Sequence, residues 1–103
     1  MIAALVSDLM DRSRLQGLSD VLFVRNAEEC ASATCVIVDL DRFANLIAAV
    51  RATVPDARIV AFGPHVDDAA LARARAAGAD VVLPRSKFFR NPLAYTTGQG
   101  TEW

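Results

Sequence analysis

Short runs of apolar residues alternate with segments of helical periodicity along the chain. Residues 35–39 are four small apolar residues followed by a carboxylate, which is typical of a buried parallel strand that ends at the edge of its sheet. Other apolar runs of strand length occupy residues 2–7, 21–24, 58–62 and 81–83. The pattern therefore predicts five strands.

The segments between these runs carry apolar residues at helical spacing. One helix is predicted from about Asp41 to Val54, because its apolar residues fall on one face: Phe43, Leu46, Ile47, Val50 and Val54. Asp41 is the expected N-cap, and Pro55 ends the helix because the residue before a proline avoids the α conformation. Further helices are predicted at residues 9–18, 27–33, 67–77 and 86–90, the last of them unusually short.

Strand and helix alternate with connections of only a few residues, which requires parallel strands and right-handed crossovers. The sequence therefore predicts an α/β fold with a doubly wound, five-stranded parallel sheet in the order 2-1-3-4-5. This order places the first and third strands side by side. Asp8 and Asp39, which end those two runs, should then face one another across the crevice where the strand order reverses.

Composition changes after residue 90, where Pro and Gly break any long helix. We therefore expect one domain over residues 1–90 and a C-terminal tail over residues 91–103. With so short a last helix, one face of the sheet lacks cover. Either the tail folds back and contributes apolar residues, which are Phe88, Phe89, Leu93 and Tyr95, or a second copy forms a homodimer at the strand-five end. The first arrangement is favoured.

Charge and composition exclude several classes of function. The 103-residue chain has a formal net charge of −1 and scattered basic residues, so no nucleic-acid partner is expected. The apolar N-terminus has no basic leader and meets Asp8 too early for a signal peptide or a membrane span, which favours a cytoplasmic protein. Cys30 and Cys35 have no metal-ligand spacing, so both are expected to pack in the core.

Two segments carry a family resemblance. Residues 36–40 are similar to the strand that bears a phosphoacceptor aspartate, and residues 76–80 precede the last strand as a typical helix-to-strand junction. In this order and at this spacing, the chain over about residues 1–88 resembles the CheY-like receiver domains of two-component response regulators. The resemblance implies the same five-stranded fold.

The resemblance also implies a site. Asp39 falls at the phosphoacceptor position, which requires a carboxylate nucleophile. The two acidic Mg²⁺ ligands fall on Ser7 and Asp8, so only a weak Mg²⁺ site is expected, formed by Asp8, Asp39 and the Asp41 carbonyl. The lysine that neutralises a phosphoryl oxygen falls on Arg85, which keeps the charge but differs in shape.

Three other receiver positions differ in kind. Gly63 falls where a Thr or Ser would donate a hydrogen bond, and Val82 replaces the aromatic switch residue. Ser86 stands where a proline usually follows the lysine. The resemblance therefore implies a stand-alone, degenerate receiver (a pseudo-receiver). As such, it would be a non-enzymatic protein-interaction module in bacterial signalling or regulation that binds a histidine kinase or a regulator.

Other hypotheses stay open from the residues alone. Asp39 could be phosphorylated with Mg²⁺ in a working single-domain response regulator, or the crevice could bind a small molecule as flavodoxin-like domains do. Asp39 and Asp8 could equally cap the helices that follow them. His65 is expected to be a plain loop residue, because the sequence offers no nucleophile motif for it to serve.

Overall fold

Five parallel strands form one sheet in the order β2-β1-β3-β4-β5. In this computed structural model, which describes residues 1–64 and 67–97, the strands β1 to β5 span Ile2–Leu5, Val21–Phe23, Cys35–Asp39, Arg58–Gly63 and Val81–Pro84. The predicted fold class and strand order are confirmed. His65 and the end of the tail lie outside the described residues.

Short helices connect and follow the strands. Their bounds are α1 Leu9–Leu15, α2 Leu40–Phe43, α3 Ile47–Thr53, α4 Asp68–Ala77, α5 Arg85–Arg90 and α6 Pro92–Thr96. The helix predicted at residues 27–33 is only a 3₁₀ turn, Glu28–Cys30. In the part of the chain that the structure describes, no helix combines the length and the apolar character that a bilayer crossing needs.

The helix that was predicted as continuous from Asp41 to Val54 is divided. A 3₁₀ segment, Ala44–Leu46, separates α2 from α3, and Phe43 leaves the helical conformation at φ −123° and ψ 13°. The break lets both halves pack: Phe43 and Leu46 contact the same apolar cluster in which Ile47 is fully buried. The predicted cap is also wrong, because Asp39, not Asp41, is the N-cap of α2.

The two faces of the sheet are covered differently. Buried aliphatic side chains cover the face under α3 and α4, including Val36, Ile47 and Ala74. On the face under α1, α5 and α6, aromatic side chains join the aliphatic ones, and the rings of Phe62 and Phe88 stack with centroids 5.0 Å apart. Both cysteines are buried and unpaired, as the sequence predicted.

The end of the chain supplies the cover that the short last helix lacks. In α5 and α6, Phe88 and Tyr95 are buried against the sheet, and Phe89 packs on the same cluster. The Arg58 Nε group donates a hydrogen bond of 2.6 Å to the Tyr95 carbonyl, which ties α6 to the start of β4. Leu93 differs from the prediction, because 56% of it is exposed.

We call the edge where the strands begin the amino-end rim and the opposite edge the carboxyl-end rim. At the amino-end rim, Arg51 donates to the Gly78 carbonyl at 2.8 Å, to the Ala57 carbonyl at 2.7 Å and to Asp80 at 2.7 Å. Asp80 also accepts a bond of 2.8 Å from the backbone amide of Ile59. This network joins α3, α4, β4 and β5.

Candidate functional site

An acidic crevice of about 330 Å³ opens at the carboxyl-end rim, beside the strand-order reversal between β1 and β3. We define this acidic crevice by the residues that line it: Ser7, Asp8, Asp11, Asp39, Asp41, Arg42, Pro64 and Arg85. Asp8 and Asp39 therefore share one crevice, as the predicted topology requires. Asp41 and Arg85, the other two candidate site residues from the sequence, also line the acidic crevice.

Asp39 ends β3 and is 4% exposed. Its Oδ1 atom accepts a hydrogen bond of 3.0 Å from the backbone amide of Asp41, so the side chain caps α2. Burial raises the pKa of the Asp39 carboxyl, and the charges of Asp41 and Asp11 add to this; the amide bond and Arg85 oppose it. The ionised form of Asp39 is therefore disfavoured in the folded protein.

Asp8 is the N-cap of α1. Its Oδ1 atom accepts hydrogen bonds from the backbone amides of Met10 at 2.9 Å and Asp11 at 3.0 Å. The capping role that the sequence left open is therefore present for both Asp8 and Asp39. In each case one carboxylate oxygen is engaged by backbone and the structure gives the other no hydrogen bond within residues 1–64 and 67–97.

The sequence analysis missed Asp11, which is the most buried charged residue of the acidic crevice. Its side chain is 0% exposed, and Oδ1 accepts from Nη2 of Arg85 in an ion pair. The Oδ2 atom has no hydrogen-bond partner among the described residues. The sequence does contain a signal for Asp11. Leu15 and Leu18 follow it at i+4 and i+7, which places this carboxylate on the apolar face of the helix predicted at residues 9–18.

Arg85 begins α5, directly after β5. Its guanidinium also lies over two aromatic rings, 5.8 Å from the Phe62 centroid and 5.5 Å from the Phe89 centroid. The ion pair with Asp11 therefore joins α5 to α1 across the crevice, on the side of the sheet that the aromatic residues fill.

The donor set for a metal ion is incomplete. Mg²⁺ prefers six oxygen ligands in octahedral geometry, and the expected set is Asp8, Asp39 and the Asp41 carbonyl. Within the described ranges, no three His, Cys, Asp or Glu side chains are grouped so that they could hold a metal ion. Two carboxylates, each with one oxygen already bonded to backbone, fit only weak Mg²⁺ binding, which stays a prediction.

Comparisons with known proteins find the same fold at low sequence identity. No family model matches the chain, and no curated protein matches it. Among solved structures, a response regulator from Burkholderia pseudomallei with a phosphorylated aspartic acid, calcium ion and citrate superimposes at TM-score 0.74 with 25% identity, over 92% of this chain. This chain spans 64% of that protein's length.

Two isolated receiver domains agree with this match. The BeF3-activated DrrB receiver domain has TM-score 0.74 and 19% identity, with 95% of this chain and 94% of that chain covered. The RcsB receiver domain of Salmonella enterica serovar Typhimurium, with phosphomimetic BeF3⁻, has TM-score 0.64 and 15% identity, with 99% and 89% covered. The chain has the CheY-like receiver fold.

Within this receiver fold, the remaining positions of the resemblance are not among the residues that line the acidic crevice. Gly63 ends β4 and lines a second groove of about 400 Å³ between α2 and α4, together with apolar residues that include Leu40, Ile47 and Ala74. Val82 is buried in β5, and the side chain of Ser86 in α5 is exposed. No side chain extends from β4 at the Gly63 position to donate a hydrogen bond into the crevice.

Proposed function

We propose that this domain is a degenerate receiver that signals by binding a protein partner, without phosphoryl transfer and without enzymatic activity, in the cytoplasm. The receiver fold supports a signalling role of the response-regulator type. The finer proposal depends on how the residues of the acidic crevice are engaged.

One observation carries the proposal: Arg85, the cation at the lysine position, is bound to the buried Asp11. A phosphoryl group on Asp39 would need a cation to neutralise its oxygens. If Arg85 moved to that group, Asp11 would stay buried without a counter-charge, and breaking such a pair is strongly destabilising. Arg85 is therefore already engaged by Asp11 in the folded protein and is not freely available to a phosphoryl group.

Two further features reduce the reactivity of Asp39. Burial raises the pKa of its carboxyl, which lowers the fraction of the nucleophilic anion. Gly63 offers no hydroxyl to bond a transferred phosphoryl group. Together with Ser7 in place of a second acid, these features favour a site that keeps its scaffold and has lost its transfer chemistry.

The test is mass spectrometry of the intact protein after incubation with Mg²⁺ and acetyl phosphate. We expect no adduct, while a phosphorylation-competent receiver in a parallel reaction gains one phosphoryl group. A variant that restores the receiver residues, Ser7→Asp with Gly63→Ser and Arg85→Lys, should gain a measurable adduct. A stable phosphoryl group on Asp39 of the unmodified protein would overturn the proposal.

A working phosphoacceptor is the second candidate, because Asp8 and Asp39 line one crevice as a metal ligand and an acceptor would. Mg²⁺ titration followed by NMR separates the two. Tight binding that is lost in Asp8→Ala would favour the phosphoacceptor, whereas absence of binding at millimolar Mg²⁺ would favour the degenerate receiver.

Small-molecule binding is a third candidate, and the groove of about 400 Å³ beside Gly63 is the observation that favours it. A thermal-shift screen of small metabolites tests it. A compound that raises the melting temperature in the unmodified protein but not in Ala74→Leu, which narrows the groove, would support this candidate.

A further inference from the structure

We propose that the acidic crevice binds a basic side chain, the ammonium of a lysine or the guanidinium of an arginine, which a protein partner presents next to an apolar residue. This inference rests on the proposed function, because it names the chemistry of the partner at the same site. It is carried by the charge of the crevice, by one unpaired buried acceptor and by the exposed apolar residues that follow Asp8.

The crevice has an excess of negative charge. Among the described residues, four aspartates and two arginines line it, so carboxylates outnumber guanidinium groups there by two. The charge of Arg85 is already matched by Asp11 in the buried ion pair. Within the same described lining, the carboxylates of Asp8, Asp39 and Asp41 have one further cation, Arg42. Complementary charge of this kind selects the partner and speeds its association.

The crevice also holds a buried acceptor that lacks a hydrogen-bond donor within the described ranges. Asp11 is fully buried, and its Oδ2 atom has no partner among the described residues. Asp39 is 4% exposed and uses only Oδ1, for the bond to the Asp41 amide. A buried acceptor without a donor is unfavourable by about 1–3 kcal/mol. An entering group with several N–H donors matches the unpaired Asp11 oxygen and the second oxygen of Asp39.

A basic side chain fits this site better than a metal ion does. A divalent cation needs several convergent oxygen ligands, and the described part of the chain groups no three side chains that could supply them. The cavity of about 330 Å³ is also far larger than an ion requires. It has room for the long methylene stem of a lysine or an arginine together with its charged end.

Two exposed apolar residues directly follow Asp8, a residue that lines the crevice. Leu9 and Met10 follow Asp8 at the start of α1, and they are 79% and 68% exposed. Two large apolar side chains beside a charged cavity are typical of an interface that pairs an anchored charge with apolar contact. They would cover the methylene stem of the bound side chain and an apolar neighbour on the partner.

The test uses two short peptides that differ in one group: acetyl-Leu-Arg-Leu-amide and the same peptide with citrulline, which keeps the shape of arginine and removes its charge. Each is titrated into the ¹⁵N-labelled protein. The arginine peptide should shift the backbone amides of residues 8–11 and 39–41, and the citrulline peptide should bind at least about threefold more weakly. Equal shifts with both peptides, or none at millimolar concentration, would overturn the proposal.

Variants locate the binding. Asp8→Asn keeps a side-chain oxygen that can cap α1 and removes one charge, so affinity for the arginine peptide should fall about threefold. Leu9→Ala with Met10→Ala should lower the affinity for both peptides. Asp56→Asn, an exposed change between α3 and β4 at the amino-end rim, is the matched control and should leave affinity unchanged. Equal loss in Asp8→Asn and Asp56→Asn would contradict the assignment.

Two further measurements test whether a metal ion or a second copy of the protein occupies the crevice. If Mg²⁺ shifts the same amides below millimolar concentration and displaces the arginine peptide, the crevice is a metal site and the proposal fails. If the shifts depend on protein concentration without peptide, a second copy occupies it and the proposal also fails. Failure here leaves the phosphorylation question unchanged, because intact-mass measurement answers that question separately.

Discussion

The two rims of the sheet differ in how completely their polar groups are paired. At the amino-end rim, the guanidinium of Arg51 donates to three backbone carbonyls and to Asp80, which in turn accepts from the Ile59 amide. At the carboxyl-end rim, Asp11 is buried with an oxygen that no described group bonds. Each rim pairs an arginine with an aspartate, but among the described residues only the carboxyl-end pair leaves a buried acceptor unbonded.

This difference indicates that the two rims have different roles, one in stability and one in binding. Paired buried groups stabilise a fold and specify one arrangement of its elements. Unpaired acceptors are unfavourable for stability and persist where they serve a binding partner. The amino-end rim therefore holds α3, α4 and the sheet together, while the carboxyl-end rim keeps capacity for a ligand. Each prediction below tests one side of this comparison.

The largest effect is expected from Arg51→Ala at the amino-end rim. The change leaves the Gly78 and Ala57 carbonyls without the Arg51 donor and removes one of the two bonds to the Asp80 carboxylate, so the free energy of unfolding should fall by about 3 kcal/mol. Urea denaturation measures it. Arg90→Ala, an exposed change on α5, is the control and should alter stability by less than about 0.5 kcal/mol. Equal effects would remove the distinction between the rims.

Arg85→Ala comes next, because it leaves Asp11 buried without its ion pair. We expect a loss of about 2 kcal/mol, below the value for a fully buried pair because Arg85 is partly exposed. Replacing both partners, with Asp11→Leu and Arg85→Ala, should recover most of that loss since no unpaired charge remains. A double-mutant cycle by chemical denaturation gives the coupling. Additive losses would show that the pair is not coupled.

Gly78→Ala adds one methyl group at the amino-end rim and tests how tightly the Arg51 network is packed there. Gly78 has φ +122°, and a Cβ there would lie 2.9 Å from Cβ and Cγ of Arg51. Backbone strain and this contact should lower the free energy of unfolding by about 1.5 kcal/mol. Gly17→Ala is the matched control, because nothing lies within 4 Å of its added Cβ. It should leave stability unchanged or raise it by up to about 1 kcal/mol.

The smallest effect is expected from Asp39→Asn. Since burial raises the pKa of Asp39, the folded protein holds its proton more tightly than the unfolded chain does. The resulting penalty is absent below the ordinary pKa of an aspartate and grows as pH rises through the raised value. Asparagine removes the penalty and can still accept from the Asp41 amide. The variant should therefore be more stable at neutral pH, with the difference vanishing in acid.

Denaturation of both proteins across a pH series measures this difference. If Asp39→Asn is less stable at neutral pH and the gap closes in acid, the carboxylate is stabilised by its surroundings. The carboxyl-end rim would then be as well paired as the amino-end rim, which contradicts the comparison.

The fold was predictable because its determinants are local and repeated. Each strand is a continuous apolar run, and the short connections allow only parallel neighbours, so the order 2-1-3-4-5 and the meeting of Asp8 with Asp39 follow. The end of α3 before Pro55 depends on nearby residues, and it was confirmed.

The details of the site depend on distant contacts, which one sequence does not reveal. Asp11 pairs with Arg85, which is 74 positions away, and the packing of α5 on the sheet decides that contact. The 3₁₀ segment at Ala44–Leu46 arises because both halves of the apolar stripe must reach the sheet, which periodicity alone cannot show. The cap moved from Asp41 to Asp39 because the helix begins directly at the end of β3.

The buried cysteines give this protein an intrinsic reporter of transient opening. Cys35 begins β3 at 3% exposure, and desolvation raises the pKa of its thiol to about 11. Cys30 is fully covered, and burial raises the pKa of its thiol as well. Because the thiolate is the nucleophile that attacks an alkylating reagent, both positions should stay unmodified until the surrounding layer separates. The rate of alkylation would then time that separation without any introduced label.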